Sequence, residues 1–246
     1  MSETKRVLFF SKSSGFEHDT IKRGDKPASP VEEWIVPWAA ERGYEVVCSK
    51  DGSLFDADYL DGFDAYLFCT TGDLTTVGTD GQPPLSAEGK AALLAAIAGG
   101  KGFLGVHNAT DTFHGANDTV DDYTAMLGGQ FLTHGAQQNA TQLKTDVVFP
   151  GLEALPDSFV THDEWYVQKN LADDLRVILL QSTEGMEGDM YTSREAYPAT
   201  WARREGEGRV FYTSMGHRPD NWTAPEFQLV LAAGLDWITG RTEAGF

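Results

Sequence analysis

Six histidines are the residues of this chain best suited to chemistry near neutral pH. An imidazole with its ordinary pKa of about 6.5 can take up and release protons there, and it can also ligate metal ions. His18, His107 and His217 each follow an apolar segment typical of a strand. Ligands of open parallel sheets bind beyond the carboxyl ends of the strands. We therefore expect these three imidazoles to approach one shared cavity.

A sharp turn is predicted around His107. The apolar run Gly102–Val106 indicates a strand buried on both faces, and Gly105–Ala109 is typical of a strand-to-helix elbow that exposes its central side chain. In enzymes that form acyl intermediates, this side chain is Ser or Cys. Here it is a histidine, and Cys48 and Cys69 end other predicted strands. The pattern argues against thiol chemistry and favours acid–base chemistry.

A dense polar and aromatic segment, His162–Tyr166, contains Glu164. A carboxylate among aromatic rings suits a general acid or base with a raised pKa, or an acceptor for a sugar hydroxyl beside a stacking ring. The alternative for this segment is a solvated acidic turn. In a different segment, Asp111 follows His107 by four residues and could either orient an imidazole or cap a helix. The predicted catalytic residues are His107, His217 and Glu164, and the predicted substrate-binding residues are His18, Asp111, His134 and Tyr166.

The spacing of these residues contains no local metal motif, since neither HxxxH nor CxxC occurs. Histidines and carboxylates from distant loops can nevertheless converge on a divalent ion. The sequence therefore predicts no definite cofactor, and a bound divalent metal such as Zn²⁺ is an open alternative to direct acid–base chemistry.

Composition narrows the range of partners. The chain has 19 Lys+Arg and 37 Asp+Glu, a formal net charge of −18. Nucleic acids and anionic membrane surfaces both select basic patches, so we expect neither as a partner. No stretch approaches the roughly 20 apolar residues of a membrane span.

Two cysteines indicate no disulfide framework, and we expect Cys48 and Cys69 to be buried, unbridged thiols in a cytoplasmic protein.

Strands and helices alternate in the first half of the chain, a pattern typical of a parallel sheet covered by helices. The strands are predicted at Lys5–Phe10, Tyr44–Cys48, Asp64–Cys69 and Gly102–Val106, and the helices at Pro30–Arg42 and from the N-cap Ser86 to Ala98. The second half is predicted to contain irregular strands over Gly128–Phe149, a strand at Asp174–Gln181, an antiparallel hairpin of Ala199–Arg204 and Arg209–Ser214, and a closing helix at Pro225–Thr239. We expect one mixed α/β domain over residues 1–246, with inserted loops between about 112 and 170.

Four separated motifs together resemble the trehalose-utilisation (ThuA-like) family: Lys12–His18, Gly105–Thr112, Asp163–Tyr166 and Gly208–His217. The resemblance covers nearly the whole chain in the order of the family. It implies the class I glutamine amidotransferase-like fold, a flavodoxin-like sandwich with a mostly parallel sheet, and a link to disaccharide and keto-sugar catabolism. It also implies that His107 stands where true amidotransferases carry the nucleophilic Cys, and that His217 matches their partner His. Without that Cys, glutaminase activity is not expected.

The combined prediction is a carbohydrate-processing enzyme whose partner is a small-molecule sugar, with a homo-oligomer as an open option. The carbonyl of a keto-sugar acidifies the neighbouring C–H, so enolisation, elimination or isomerisation needs only an acid and a base. His107 and His217 would move protons, and Glu164 would act as base or orient the rings. The alternatives are a non-catalytic sugar-binding or regulatory module, and a hydrolase or amidotransferase partner.

Overall fold

The computed structural model describes residues 3–114 and 119–245 of the chain. The strands are β1 (Lys5–Phe10), β2 (Tyr44–Ser49), β3 (Ala65–Phe68), β4 (Gly102–Val106), β5 (Gln130–His134), β6 (Gln138–Lys144), β7 (Ser158–Asp163), β8 (Tyr166–Lys169), β9 (Arg176–Ser182), β10 (Ala196–Glu205) and β11 (Gly208–Thr213). The α-helices are α1 (Pro30–Ala40), α2 (Ala57–Asp61), α3 (Ala87–Ala98), α4 (Asp122–Leu127) and α5 (Pro225–Ile238).

Within these described ranges, nine strands form one sheet in the order β2-β1-β3-β4-β11-β10-β9-β6-β7. The first five of these strands run parallel to one another, and each remaining neighbour pair is antiparallel. Strands β5 and β8 form a separate antiparallel pair. The predicted α/β class and the β10–β11 hairpin are confirmed. The large sheet is mixed, however, because the antiparallel strands of the second half extend the parallel half.

The central strands are buried on both faces, which is why their sequences are continuous apolar runs. Along β1, Val7 and Phe9 pack in one core cluster, and Leu8 and Phe10 pack in another. Because successive side chains of a strand point to opposite faces, the two clusters lie on opposite sides of the sheet. Helices α1 and α5 contribute to the first cluster, and α2, α3 and α4 contribute to the second.

Helix α1 begins where the sequence predicts and ends two residues earlier, at Ala40. The side chain of Ser29 accepts a hydrogen bond from the N–H of Glu32, whose own side chain accepts one from the N–H of Ser29. This reciprocal pair satisfies two backbone donors at the helix start. Ser86 caps α3 as predicted, because its side chain accepts from the N–H of Gly89.

Both cysteines are free thiols, as predicted. Cys69 is buried, but the prediction of burial is wrong for Cys48, which is only partly buried. Cys48 belongs to β2, the edge strand of the sheet, where fewer elements cover the side chains. In the part of the chain that the structure describes, no helix is long and apolar enough to cross a membrane.

Candidate functional site

Three histidine rings meet at the carboxyl edge of the parallel half of the sheet. His18 follows β1, His107 follows β4 directly, and His217 comes four residues after β11. The ring centroids lie 5.2 Å apart for His18 and His107, 5.0 Å for His18 and His217, and 5.1 Å for His107 and His217. The expected convergence of the three imidazoles is therefore observed, and it follows from the shared strand direction.

The predicted elbow is present at His107, which opens a short 3₁₀ helix ending at Asp111. His107 has a φ of +44°, a left-handed conformation that is rare outside glycine. The hydroxyl of Tyr212 donates a 2.7 Å hydrogen bond to the carbonyl of His107 and helps to hold the turn. A Cβ at Gly105 would lie 3.0 Å from the Cβ of Ala109, closer than most such contacts, so a side chain there would press against the turn. Strained residues that persist in this way are concentrated at functional sites.

The surroundings of His107 define which of its nitrogens carries the proton. Nδ1 lies 2.8 Å from the carbonyl oxygen of Ser214, and a carbonyl can only accept, so Nδ1–H is the donor. In the neutral ring, the lone pair of Nε2 then faces the cluster. Nε2 lies 3.3 Å from Nδ1 of His217 and 3.6 Å from Oε2 of Glu164.

Glu164 joins the histidines into one cluster. Its Oε2 lies 3.3 Å from Nδ1 of His217, and its Oε1 lies 3.3 Å from Nδ1 of His134. Burial raises the pKa of Glu164, but hydrogen bonds and charge interactions with His107 and His217 outweigh burial and hold the pKa well below its usual value. The carboxylate is therefore ionised at neutral pH. The raised pKa that the aromatic sequence neighbours of Glu164 suggested is wrong, because the histidines that lower its pKa come from distant segments.

His18 is kept neutral in a buried position. Burial, reinforced by the neighbouring His107 and His217, lowers the pKa of His18 to about 2. The amide nitrogen of Asn108 lies 3.2 Å from Nδ1 of His18 and donates to it. The amide oxygen of Asn108 accepts from the thiol of Cys69 at 3.0 Å. These contacts fix the plane of the His18 ring.

A buried carboxylate ties Glu164 to the loop that carries His217. Asp163 is fully buried, and its oxygens accept from the backbone N–H groups of Gly216 at 2.7 Å, Glu164 at 3.0 Å and Arg218 at 3.3 Å. Gly216 has a φ of +115°, and a Cβ there would lie 2.8 Å from Val106. The backbone on both sides of His217 is thus fixed.

A cleft of about 390 Å³ opens above the cluster. Its lining includes the predicted residues His18, Asp111, His134, Glu164, Tyr166 and His217. His107 lies behind this lining, with 1% of its surface exposed and its ring 4.2 Å from that of Tyr166. His18 and His217 therefore face the cleft, whereas His107 reaches it through the cluster.

The remaining candidates lie at the margin of the cleft. Oδ1 of Asp111 lies 2.7 Å from Nε2 of His114, so Asp111 orients an imidazole and does not cap a helix N-terminus. His114 is exposed. His162 contacts Asn139 on the exposed side of β7 and is not part of the cluster.

Several residues of the site were not identified from the sequence. Phe16 lines the cleft with 68% of its surface exposed, and Phe131 also lines it. The amide nitrogen of Gln137 donates to Nε2 of His217 at 2.9 Å. Phe16 could have been found from its place two residues before His18, but no local pattern marks Gln137.

Comparisons with a protein-family model and with solved structures agree with this fold. The model of the ThuA family, described as trehalose utilisation, matches residues 6–238. A ThuA-like protein of Bacteroides uniformis superposes with a TM-score of 0.74 at 18% identity, over 96% of this chain and 92% of that chain. A ThuA-like protein of Parabacteroides merdae superposes with a TM-score of 0.70 at 14% identity, over 99% and 92%.

A β-galactosidase from Bacillus circulans shares the fold over part of its length. Its TM-score is 0.55 at 12% identity, and the match covers 96% of this chain but 31% of the galactosidase. No curated protein sequence matches the chain. At such low sequence identities, the solved structures show only that the fold is shared. The family model, in contrast, matches most of the sequence and therefore shows the family. The chain therefore belongs to the ThuA family of trehalose utilisation.

Proposed function

We propose that this protein is an enzyme of sugar utilisation that acts on a carbonyl-bearing sugar, such as a keto derivative of trehalose. One observation carries the proposal: an ionised carboxylate, Glu164, lies between His217 and His134 at the floor of a cleft with aromatic walls. The family membership supports a sugar as the substrate class.

The walls of the cleft suit a sugar ring. Phe16, Phe131 and Tyr166 offer aromatic surface, on which the apolar face of a pyranose can stack. Asp111 and His134 stand among these rings and can exchange hydrogen bonds with hydroxyl groups. In this proposal, these residues and His18 hold and orient the sugar.

The floor of the cleft suits proton transfer next to a carbonyl. Glu164 is ionised, so it can accept a proton from the acidified C–H, or orient the histidines that do so. His217 lies between Glu164 and His107 and can return a proton to the oxygen that develops negative charge. His107 lies behind the lining and acts on the substrate through His217 and Glu164. Enolisation, elimination and isomerisation all share this first step.

Glutamine hydrolysis does not fit the site. The elbow carries His107, and the thiol of Cys69 donates its hydrogen bond to Asn108. Burial raises the pKa of Cys69 to about 12, so the reactive thiolate does not form at neutral pH. We infer that the site has no glutaminase activity.

The fold supports a relation to the class I glutamine amidotransferase-like proteins. Its parallel strands lie in the order β2-β1-β3-β4-β11, which is the order of flavodoxin-like sheets when these strands are counted along the chain. The likeness to part of a β-galactosidase shows that this fold also occurs within a carbohydrate enzyme.

Proton exchange tests the proposal directly. The protein is incubated in D₂O with keto derivatives of trehalose, and NMR follows deuterium uptake at the carbon beside the carbonyl, together with new products. We expect exchange or turnover by the wild type and a decrease of about 10²-fold or more in Glu164→Gln. Glu184→Gln, an exposed site outside the cleft, is the matched control. Sugar binding without exchange or turnover would replace the proposal with a non-catalytic binding module.

A further inference from the structure

The four side chains at the floor of the cleft form a converging set of donor atoms. One nitrogen each from His18, His107 and His217 and one oxygen from Glu164 all lie within 4.8 Å of one another. These residues come from four separate segments that follow β1, β4, β7 and β11. We propose that they bind one divalent transition-metal ion, with Zn²⁺ as the best fit.

The distances between donors fit a tetrahedral ion. Bonds of about 2.0–2.2 Å from Zn²⁺ to nitrogen and oxygen place neighbouring ligand atoms roughly 3.3–3.6 Å apart at tetrahedral angles. Nε2 of His107, Nδ1 of His217 and Oε2 of Glu164 are separated by 3.3, 3.3 and 3.6 Å. These three atoms therefore have the spacing of one face of a zinc coordination tetrahedron.

The supporting contacts are those that metal ligands require. A metal-bound imidazole commonly donates its other N–H to a carbonyl or carboxylate, which fixes the ring and its tautomer. His107 donates Nδ1–H to the carbonyl of Ser214 in this way. Asp163 fixes the backbone beside Glu164 and beside His217.

The charge balance also favours a cation. The rings of His18, His107 and His217 pack within about 5 Å of one another, where three protonated imidazoles would repel strongly. The neutral ring of His107 already presents the lone pair of Nε2 beside the ionised carboxylate of Glu164. Binding of the ion through Nδ1 of His217 would place the proton of that ring on Nε2, which now faces the amide nitrogen of Gln137.

The donor set selects among metals. Three imidazoles and one carboxylate suit Zn²⁺ and neighbouring transition metals, whereas Mg²⁺ and Ca²⁺ prefer all-oxygen sites. His18, His217 and Glu164 line the cleft, so a fifth position on the ion is open to a water molecule or a sugar oxygen. With the ion bound, His107 and His217 would serve as ligands, and the metal would supply Lewis-acid chemistry and an acidified water molecule in place of proton transfer by these two rings.

Metal binding is independent of the proposed function, because a non-catalytic sugar-binding protein could hold the same ion. The test therefore omits sugar. Untagged protein is stripped with a chelator, and Zn²⁺ alone is titrated by calorimetry, with metal content after dialysis measured by mass spectrometry. We expect one equivalent of Zn²⁺ per chain.

Variants decide whether these residues hold the ion. His107→Asn removes the imidazole and keeps a residue that tolerates positive φ, and Glu164→Gln removes the charge. Each is expected to weaken Zn²⁺ binding by about 100-fold or more, with an unchanged circular dichroism spectrum. His162→Asn, at an exposed histidine outside the cluster, is expected to bind like the wild type. Failure of the folded wild type to bind one equivalent, or equal binding by His107→Asn, would overturn the inference and leave the proton-exchange test unaffected.

Discussion

Nδ1 of His107 donates a 2.8 Å hydrogen bond to the carbonyl oxygen of Ser214, the residue that follows strand β11. The bond joins the ends of two neighbouring parallel strands, β4 and β11, and sets the orientation of the imidazole. Nε2 consequently faces His217 and Glu164. The elbow and the loop carrying His217 are therefore one structural unit, and a change in either should affect the other.

Asp163→Asn tests how that unit is fixed. Asparagine keeps one acceptor oxygen and places an amide N–H₂ near three backbone N–H donors, so a donor loses its partner. We expect the free energy of unfolding to fall by about 1–3 kcal/mol and Zn²⁺ affinity to fall about 10–100-fold. Chemical denaturation and calorimetry measure the two effects, with the exposed Asp173→Asn as control. Unchanged Zn²⁺ affinity would show that Asp163 does not position the ligands.

Phe16→Ala tests the sugar-binding wall. The ring is 68% exposed, so its removal should leave stability close to that of the wild type. The loss of stacking, worth about 0.5–1.5 kcal/mol, should weaken sugar binding roughly two- to tenfold. Calorimetry with the keto-sugar measures this, and Val160→Ala, 64% exposed and outside the cleft, is the control. Equal affinity in both variants would exclude Phe16 from recognition.

The cysteines are expected to be unreactive in the native protein. Burial raises the pKa of both Cys48 and Cys69 to about 12, so few thiolates form at pH 7. A thiol reagent should label the native chain slowly and should label both cysteines after denaturation. Rapid stoichiometric labelling with loss of activity would point to a catalytic thiol.

Glu32 should contribute to acid unfolding. Burial raises its pKa, but Arg23 at 2.8 Å and the N–H of Ser29 at 2.7 Å outweigh burial and lower the pKa below its ordinary 4.5. The unfolded chain then binds more protons as pH falls below 4.5, so this stabilisation is complete above that pH and disappears below it.

Glu32→Gln keeps an acceptor for the N–H of Ser29 but loses the charge pair with Arg23, so it should cost about 0.5–1 kcal/mol at pH 7, and the difference from the wild type should shrink at about pH 4. Urea denaturation at both pH values measures it. Glu33→Gln, at an exposed position of the same helix turn, is the control. A difference that stays constant with pH would show that the charge of Glu32 does not matter.

The sequence was sufficient for the features that depend on local pattern. The apolar run Gly102–Val106 predicted a doubly buried strand, and the small residues around His107 predicted the elbow. The convergence of His18, His107 and His217 followed from a general property of parallel strands and required no knowledge of the loops. The hairpin of β10 and β11 was also predicted, but the continuation of the sheet into β9, β6 and β7 was not, because it depends on pairing between distant segments.

The electrostatics of the site also depend on distant contacts. Glu164 stands among aromatic residues in sequence, which suggested a raised pKa, but His107 and His217 approach it only in the fold and lower the pKa. Likewise, Tyr166 covers His107 and separates it from the cleft. Neither effect leaves a signal in the spacing of residues along the chain.

Substitutions of His107 test most directly whether this cluster binds metal and supports turnover. Zn²⁺ content and turnover of keto-sugar are measured on the same preparations of His107→Asn and His107→Ala, with circular dichroism confirming that each variant is folded. We expect bound Zn²⁺ to be lost and turnover to fall by about 10²-fold or more. A folded variant that keeps both the Zn²⁺ content and the turnover of the wild type would contradict this expectation, and would make His107 only a structural residue of the turn.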